Sequence, residues 1–167
     1  MLQVGSQVVY GIHGVCGIID VEVRRVDRKN VEYFVLEPKD QPGARFYVPV
    51  HNQIAVSKLR PLLSREELEA LIVSDATHQN CWINDENQRK QKYRELINNA
   101  DRAALISMIR VLHQHKENQL AAGRKFHLCD ENFLRDAEKI LSAEFSLVLD
   151  LAPGQVSSYV WQVMNEE

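Results

Sequence analysis

The residues equipped for chemistry in this 167-residue chain are few, and their spacing decides most of what they can do. His78-x-x-Cys81 and His127-x-Cys129 are two pairs of nitrogen and sulfur donors of the kind zinc accepts. Neither has the spacing of a standard finger, and cysteine often serves as a small buried hydrophobe. Glycines at 11, 14 and 17 invite a phosphate-loop reading, but no helix follows them to point its amides at an anion. No serine stands in a nucleophile-elbow sequence. His113 and His115 are two apart, which puts them on different faces of a helix. Carboxylates gather at helix starts, where they favour the helix dipole. These patterns lead to the expectation of no catalytic residue, no metal, no cofactor and no small-molecule substrate.

The strongest constellation is electrostatic. Arg89-Lys90-Gln91-Lys92-Tyr93-Arg94 is the densest positive run, and it follows Trp82 by about two helical turns. On a helix Arg89, Lys92 and Tyr93 are neighbours at i, i+3 and i+4, while Lys90 and Arg94 share an adjacent face. Such a surface suits a phosphate backbone, because Lys and Arg displace its condensed counterions. Trp82 is placed to wedge against a distorted base step, as apolar side chains do in minor-groove binders. The same residues would also serve as an ordinary mixed-charge solvent face, with Trp82 and Tyr93 packing the helices.

Composition bounds these readings. Net charge is −3, against a protein that coats nucleic acid nonspecifically. Residues 1–60 hold 8 Lys/Arg against 6 Asp/Glu, and residues 61–167 hold 12 against 17, so any DNA contact must come from a local patch. Cys16, Cys81 and Cys129 are odd in number and widely spaced, which fits a reducing cytoplasm rather than a disulfide scaffold. No run of about 18 apolar residues exists to span a bilayer, and Met1–Gly5 does not open a signal peptide. A cytoplasmic location with no membrane contact is the expectation.

Two periodicities divide the chain into an α+β protein of two domains, residues 1–60 and 61–167. In the first, strands are predicted at Gln7–Tyr10, Val15–Val23, Val31–Leu36 and Arg45–Val50. They are separated by turns at Gly11–Gly14 and Asp27–Asn30 and by a loop from Pro38 to Gly43. Short strands at such intervals predict a small barrel or sandwich. From Ser64 the period becomes helical. Ser64-Arg65-Glu66-Glu67 forms a capping box, a polar linker covers Ser74–Cys81, and further helices start near Asn84 or Asp85, after Asp101, after Asp130 and at Pro153. Leu105, Ile106, Ile109, Leu112 and Leu120 mark one apolar stripe, and Gly123 marks its stop. The second domain is predicted to be an all-α bundle of four or five helices.

Val4-Gly5-Ser6-Gln7-Val8-Val9-Tyr10-Gly11-Ile12-His13-Gly14-Val15 resembles the opening signature of the CarD family of bacterial transcription regulators. A strand ending at Arg24-Arg25, the Tyr33–Leu36 strand and Val48-Pro49-Val50 continue the likeness, and this barrel is similar to the polymerase-interacting module of transcription-repair coupling factors. Trp82, the basic helix, Asp101, Leu112–Lys116 and Glu144-Phe145 resemble clostridial-type members. The resemblance implies a Tudor-like barrel that adds a strand to the protrusion/lobe of the RNA polymerase β subunit. It further implies a helical domain at the upstream edge of the promoter bubble, where a Trp packs into the minor groove and stabilises the open complex. Arg24 stands where family members present a polymerase-facing basic residue, with Arg25 beside it. The second basic contact is replaced by Tyr47, for which Arg45 is positioned to compensate, and Gly11 replaces a proline. Carried over, the DNA contacts are Trp82, Arg89, Lys90, Lys92 and Tyr93. The competing readings are a Tudor/SH3-like protein-interaction module with no DNA role and a zinc-dependent switch built on the His/Cys pairs.

Overall fold

The computed structural model describes residues 1–165, which form two compact units, one spanning Met1–Leu62 and one beginning at Leu63. The first unit is an antiparallel sheet of β1 (Gln7–Tyr10), β2 (Val15–Val26), β3 (Lys29–Pro38), β4 (Phe46–Pro49) and β5 (Leu59–Pro61), in the order β4-β3-β2-β1-β5. A short helix, α1 (Gln53–Ser57), joins β4 to β5. Every strand contributes to one core cluster: Val8, Cys16 and Ile18, Phe34 and Leu36, Val48, and Leu59. Strands sit nearly 5 Å apart in a sheet, so the two edge strands share this cluster only because the sheet curls around it like a barrel.

Two local features differ from the sequence reading. The β2–β3 hairpin turns on Asp27 and Arg28 alone, both with positive φ (48° and 64°), and Lys29 already pairs with Val26. Two left-handed residues match the twist of a hairpin, so Lys29 and Asn30 extend β3 instead of forming the turn. A bulge between Ile18 and Asp20 shifts the β2 register. Beyond it Asp20, Glu22 and Arg24 lie opposite Val35, Tyr33 and Val31, and Tyr47 lies opposite Val35. All of these share one face of the sheet, because cross-strand partners point the same way. Neither α1 nor β5 was among the predicted elements. Asn52 caps α1 by accepting a hydrogen bond from the Ala55 N–H at 3.1 Å.

The second unit contains α2 (Arg65–Ile72), α3 (Glu86–Asn99), α4 (Arg102–Ala121), α5 (Leu128–Leu149) and α6 (Pro153–Asn165). Ser64 and Glu67 close the predicted capping box on α2. Asp85 and Asp101 accept from the amides of Gln88 (2.8 Å) and Ala104 (3.0 Å), capping α3 and α4. The core gathers Leu68, Ile72, Tyr93, Leu105, Met108 and Phe145 with their neighbours. Arg102 grips the buried Glu144 through two 2.7 Å hydrogen bonds.

Three expectations are corrected in this unit. Asp130 does not cap α5: the helix begins at Leu128 after His127, and Asp130 is buried within the first turn. Leu120 does not continue the apolar stripe of α4 inward, being 57% exposed near the helix end. Residues 74–81 are not a loose linker. They contain a 3-10 turn at Asp75–Thr77, whose buried Thr77 hydroxyl donates to the Ile72 and Ser74 carbonyls at 2.8 and 2.9 Å. Ser107 and Arg110 of α4 donate to the Ala76 and Gln79 carbonyls and fasten the segment down.

Candidate functional site

In the first unit the candidate residues converge on the β2–β3–β4 face. The Arg24 guanidinium lies 3.9 Å from the Tyr47 ring centroid and pairs with Glu22 at 3.2 Å, while Tyr33 meets Tyr47 edge-on at 6.4 Å. Stacking on an aromatic face orients a guanidinium without sealing it from solvent, and Arg24 stays about half exposed (49%). Arg45 stands just before β4 and is ion-paired with Glu37. Arg25 pairs across the hairpin with Asn30 and, by strand alternation, projects to the face opposite Arg24. The structure thus brings Arg24 and Tyr47 together and sends Arg25 elsewhere.

β4 is an edge strand. The Val50 N–H donates to the Glu32 carbonyl at 3.0 Å. Bonded pairs recur every second residue in an antiparallel ladder, so Phe46 and Val48 bond toward β3. Tyr47 therefore presents its N–H and C=O to the open side. Pro49 has no N–H to offer there, and its carbonyl accepts from the Asn52 N–H at 3.3 Å. The open edge is short, with the Tyr47 peptide groups at its centre and the Arg24–Tyr47 stack on the adjoining face.

In the second unit Trp82 is the hub. Its indole stacks on His115 at 3.7 Å between centroids, the Arg89 guanidinium lies 4.4 Å from its ring, and its Nε1–H donates to Asn84 at 3.0 Å. Arg89 is only 4% exposed: its Nε–H and Nη2–H donate to Asp130 at 2.9 and 3.0 Å, and its Nη1–H donates to the Ile83 carbonyl at 2.9 Å. Burial alone would weaken its protonation, but the hydrogen bonds and charge of Asp130 outweigh it and raise its pKa. Tyr93 is fully buried, and its hydroxyl donates to the Cys81 carbonyl at 3.2 Å. Burial, then the neighbouring Cys81, push its phenol well above the usual tyrosine range. Arg89 and Tyr93 therefore lie inside the bundle and not on the exposed face expected of them.

Lys90 is on the surface but pairs with Glu86 at 2.8 Å, an (i, i+4) contact that raises its pKa. Lys92 is exposed and makes no ion pair among the described residues. Sequence reasoning missed His115, which stacks on Trp82, and Phe126, which contacts His115 in turn. His115 is held below the ordinary histidine pKa by burial, with Arg89 and His127 adding to the effect and Asp130 opposing it. Phe126 sits 6.3 Å from His115, with the Lys116 ammonium 5.7 Å from its ring. Each is separated from Trp82 by more than thirty residues, so no local spacing signalled the contact.

His78 Nδ1 lies 2.9 Å from the Ser74 carbonyl, and the Cys129 thiol lies 3.8 Å from Glu86. Among the described residues no group of three or more His, Cys, Asp or Glu stands close enough to hold a metal ion, and no helix is long and apolar enough to cross a membrane. Residues 2–61 match the family model for the CarD-like/TRCF RID domain, a match that covers the first unit and stops before α2. No curated protein matches the chain.

Proposed function

From the premise that residues 2–61 belong to the RNA-polymerase-interacting domain family of CarD-like proteins and TRCF, we infer that this chain regulates transcription by holding RNA polymerase with one unit and promoter DNA with the other. The family supports RNA polymerase as a partner. The finer reading is that β4 adds to a strand of the β-subunit lobe or protrusion, with main-chain bonds supplying affinity and side chains specificity. The observation that carries it is the open β4 edge beside the Arg24–Tyr47 stack. Arg24 and Tyr47 would form the centre of that contact, with Arg45 at its rim and Arg25, on the opposite face, outside it.

The helical unit would meet the upstream edge of the promoter bubble. The exposed part of the Trp82 ring would enter the minor groove, and Lys92 and Lys90 would face phosphate. Arg89 and Tyr93 would act from inside the bundle by fixing Trp82 and α3. No bond is made or broken in this reading. The protein stabilises the open complex by binding it better than the closed one.

The test is binding of the purified protein to an isolated β-lobe fragment, wild type beside Arg24→Glu. Saturable binding by the wild type, lost in a variant with an unchanged circular dichroism spectrum, is the expected result. Failure of the wild type to bind would reduce the protein to an interaction module for some other partner. For the second unit, Trp82→Ala should shorten the open-complex lifetime while leaving lobe binding intact. An unchanged lifetime would remove DNA from the reading.

A further inference from the structure

Several cations around Trp82 have carboxylates beside them. Arg89 is committed to Asp130, Lys90 to Glu86, and Lys116 to Glu131 at 3.0 Å. A lysine already neutralised by a neighbour has less to gain from a phosphate, because binding must first break or share that pair. On this end of the bundle the α4–α5 connection differs. Arg124 and Lys125 are both exposed and form no ion pair among the described residues.

The connection is also held in place. The Gly123 N–H donates to the Leu120 carbonyl at 3.0 Å, the Arg124 N–H donates to the Gln119 carbonyl at 2.8 Å, and Gly123 has a φ of 72°. These bonds and the left-handed glycine make a Schellman turn, which fixes the chain direction leaving α4. Two residues on, half-buried Phe126 packs against the core and contacts His115, the residue stacked on Trp82. Arg124 and Lys125 are therefore bracketed by a defined turn on one side and an aromatic anchor on the other. That anchor is one side chain removed from Trp82.

We propose that Arg124 and Lys125 form a second phosphate-contacting element beside Trp82, so that duplex DNA is held by two separate segments, this loop and α3. The proposal rests on the DNA-binding half of the function inferred above. It accounts for how a unit whose formal charge is negative, with 12 Lys/Arg against 17 Asp/Glu over residues 61–167, can still meet a polyanion. Arg124, Lys125 and Lys92 would supply local positive charge beside the Trp82–His115 stack within that negative unit. Phe126 is a positioning residue in this scheme and does not touch the DNA.

The experiment measures the affinity of the full chain for a labelled promoter duplex carrying a forked junction, between 50 and 200 mM salt, by anisotropy. Wild type, Lys92→Gln and the double variant Arg124→Gln/Lys125→Gln are compared, with thermal melting to verify folding and β-lobe binding as a parallel readout. Each phosphate contact contributes about 0.9 to the slope of log affinity against log salt. The double variant should therefore lose roughly 1.8 of that slope, equal to about a tenfold smaller loss of affinity across the salt range. Lys92→Gln should lose about half as much slope. An unchanged slope in the double variant, with Lys92→Gln still reduced, overturns the loop proposal and leaves the DNA reading standing. A double variant impaired in β-lobe binding alone also overturns it and assigns the loop to polymerase. A wild type that does not bind the duplex at 50 mM salt overturns both.

Discussion

Arg89 and Lys92 stand three residues apart in one basic run, yet the structure gives them opposite tasks. Arg89 is buried against an equally buried Asp130 and stabilises the site from within. Removing one partner of such a pair leaves the other charge dry and uncompensated, a loss of about 3–5 kcal/mol. Arg89→Met should show that loss in urea unfolding, whereas Lys92→Met should stay within about 0.5 kcal/mol of wild type. Equal effects would mean that the buried pair does not form in solution. A second prediction concerns His115, whose pKa lies below its ordinary value of 6.5. The unfolded chain then binds a proton before the folded one does, so stability is complete above pH 6.5 and falls as pH drops through the lowered folded value. His115→Phe keeps an aromatic stack on Trp82 and should flatten this acid-side loss in melting temperature between pH 7 and 5. A wild-type melting temperature that does not fall over that range would refute the assignment. The basic run and Trp82 were legible in the sequence. Which cation goes inside was not, because that depends on Asp130, 41 residues away along the chain.

At the scale of elements, the helix starts divide by how local their cause is. Ser64, Asp85 and Asp101 each accept from an amide three residues on, so the residues that define the cap all fall within one short window of sequence. Asp130 has the same composition of neighbours, an acidic residue before an apolar run, and serves a different end. Its carboxylate is drawn to the Arg89 guanidinium, a stronger charge-assisted partner than a backbone amide. Asp101→Ala should therefore cost about 1 kcal/mol, the usual value of a helix cap. Asp130→Ala should cost several-fold more and should also perturb Trp82 emission, because it frees the guanidinium beside the indole. Comparable losses in the two variants would restore Asp130 to a capping role. The helix α1 and strand β5 escaped prediction for a related reason. Gln53–Ser57 and Leu59–Pro61 are too short to carry a period, and β5 exists because Leu59, Arg60 and Pro61 pair with Tyr10, Val9 and Val8 of β1 at the far end of the unit.

At the scale of the whole molecule, the two units carry different electrostatic signs, and this bears on how DNA would be engaged. The second unit is net negative and would bind promoter DNA weakly on its own, whatever its local patch contributes. The first unit matches the CarD-like/TRCF RID domain model and, as a polymerase-binding unit, would supply the affinity that brings the second to the bubble. Only Leu62, Leu63 and Ser64 lie between the end of β5 and the first residue of α2. A connection this short sets a millimolar effective concentration of one unit at the other's site, and that concentration falls roughly as the −3/2 power of linker length. Inserting a flexible Gly/Ser segment of about thirty residues after Leu62 should leave β-lobe binding unchanged and reduce the gain in open-complex lifetime by tenfold or more at subsaturating protein. At protein concentrations that saturate the polymerase the gain should still be reduced, since the longer tether and not occupancy then limits the helical unit. Full retention of the lifetime effect would mean that the helical unit reaches DNA by its own affinity. The acidic balance of residues 61–167 would then understate the strength of the patch around Trp82, and the tether would serve only to join two independent binders.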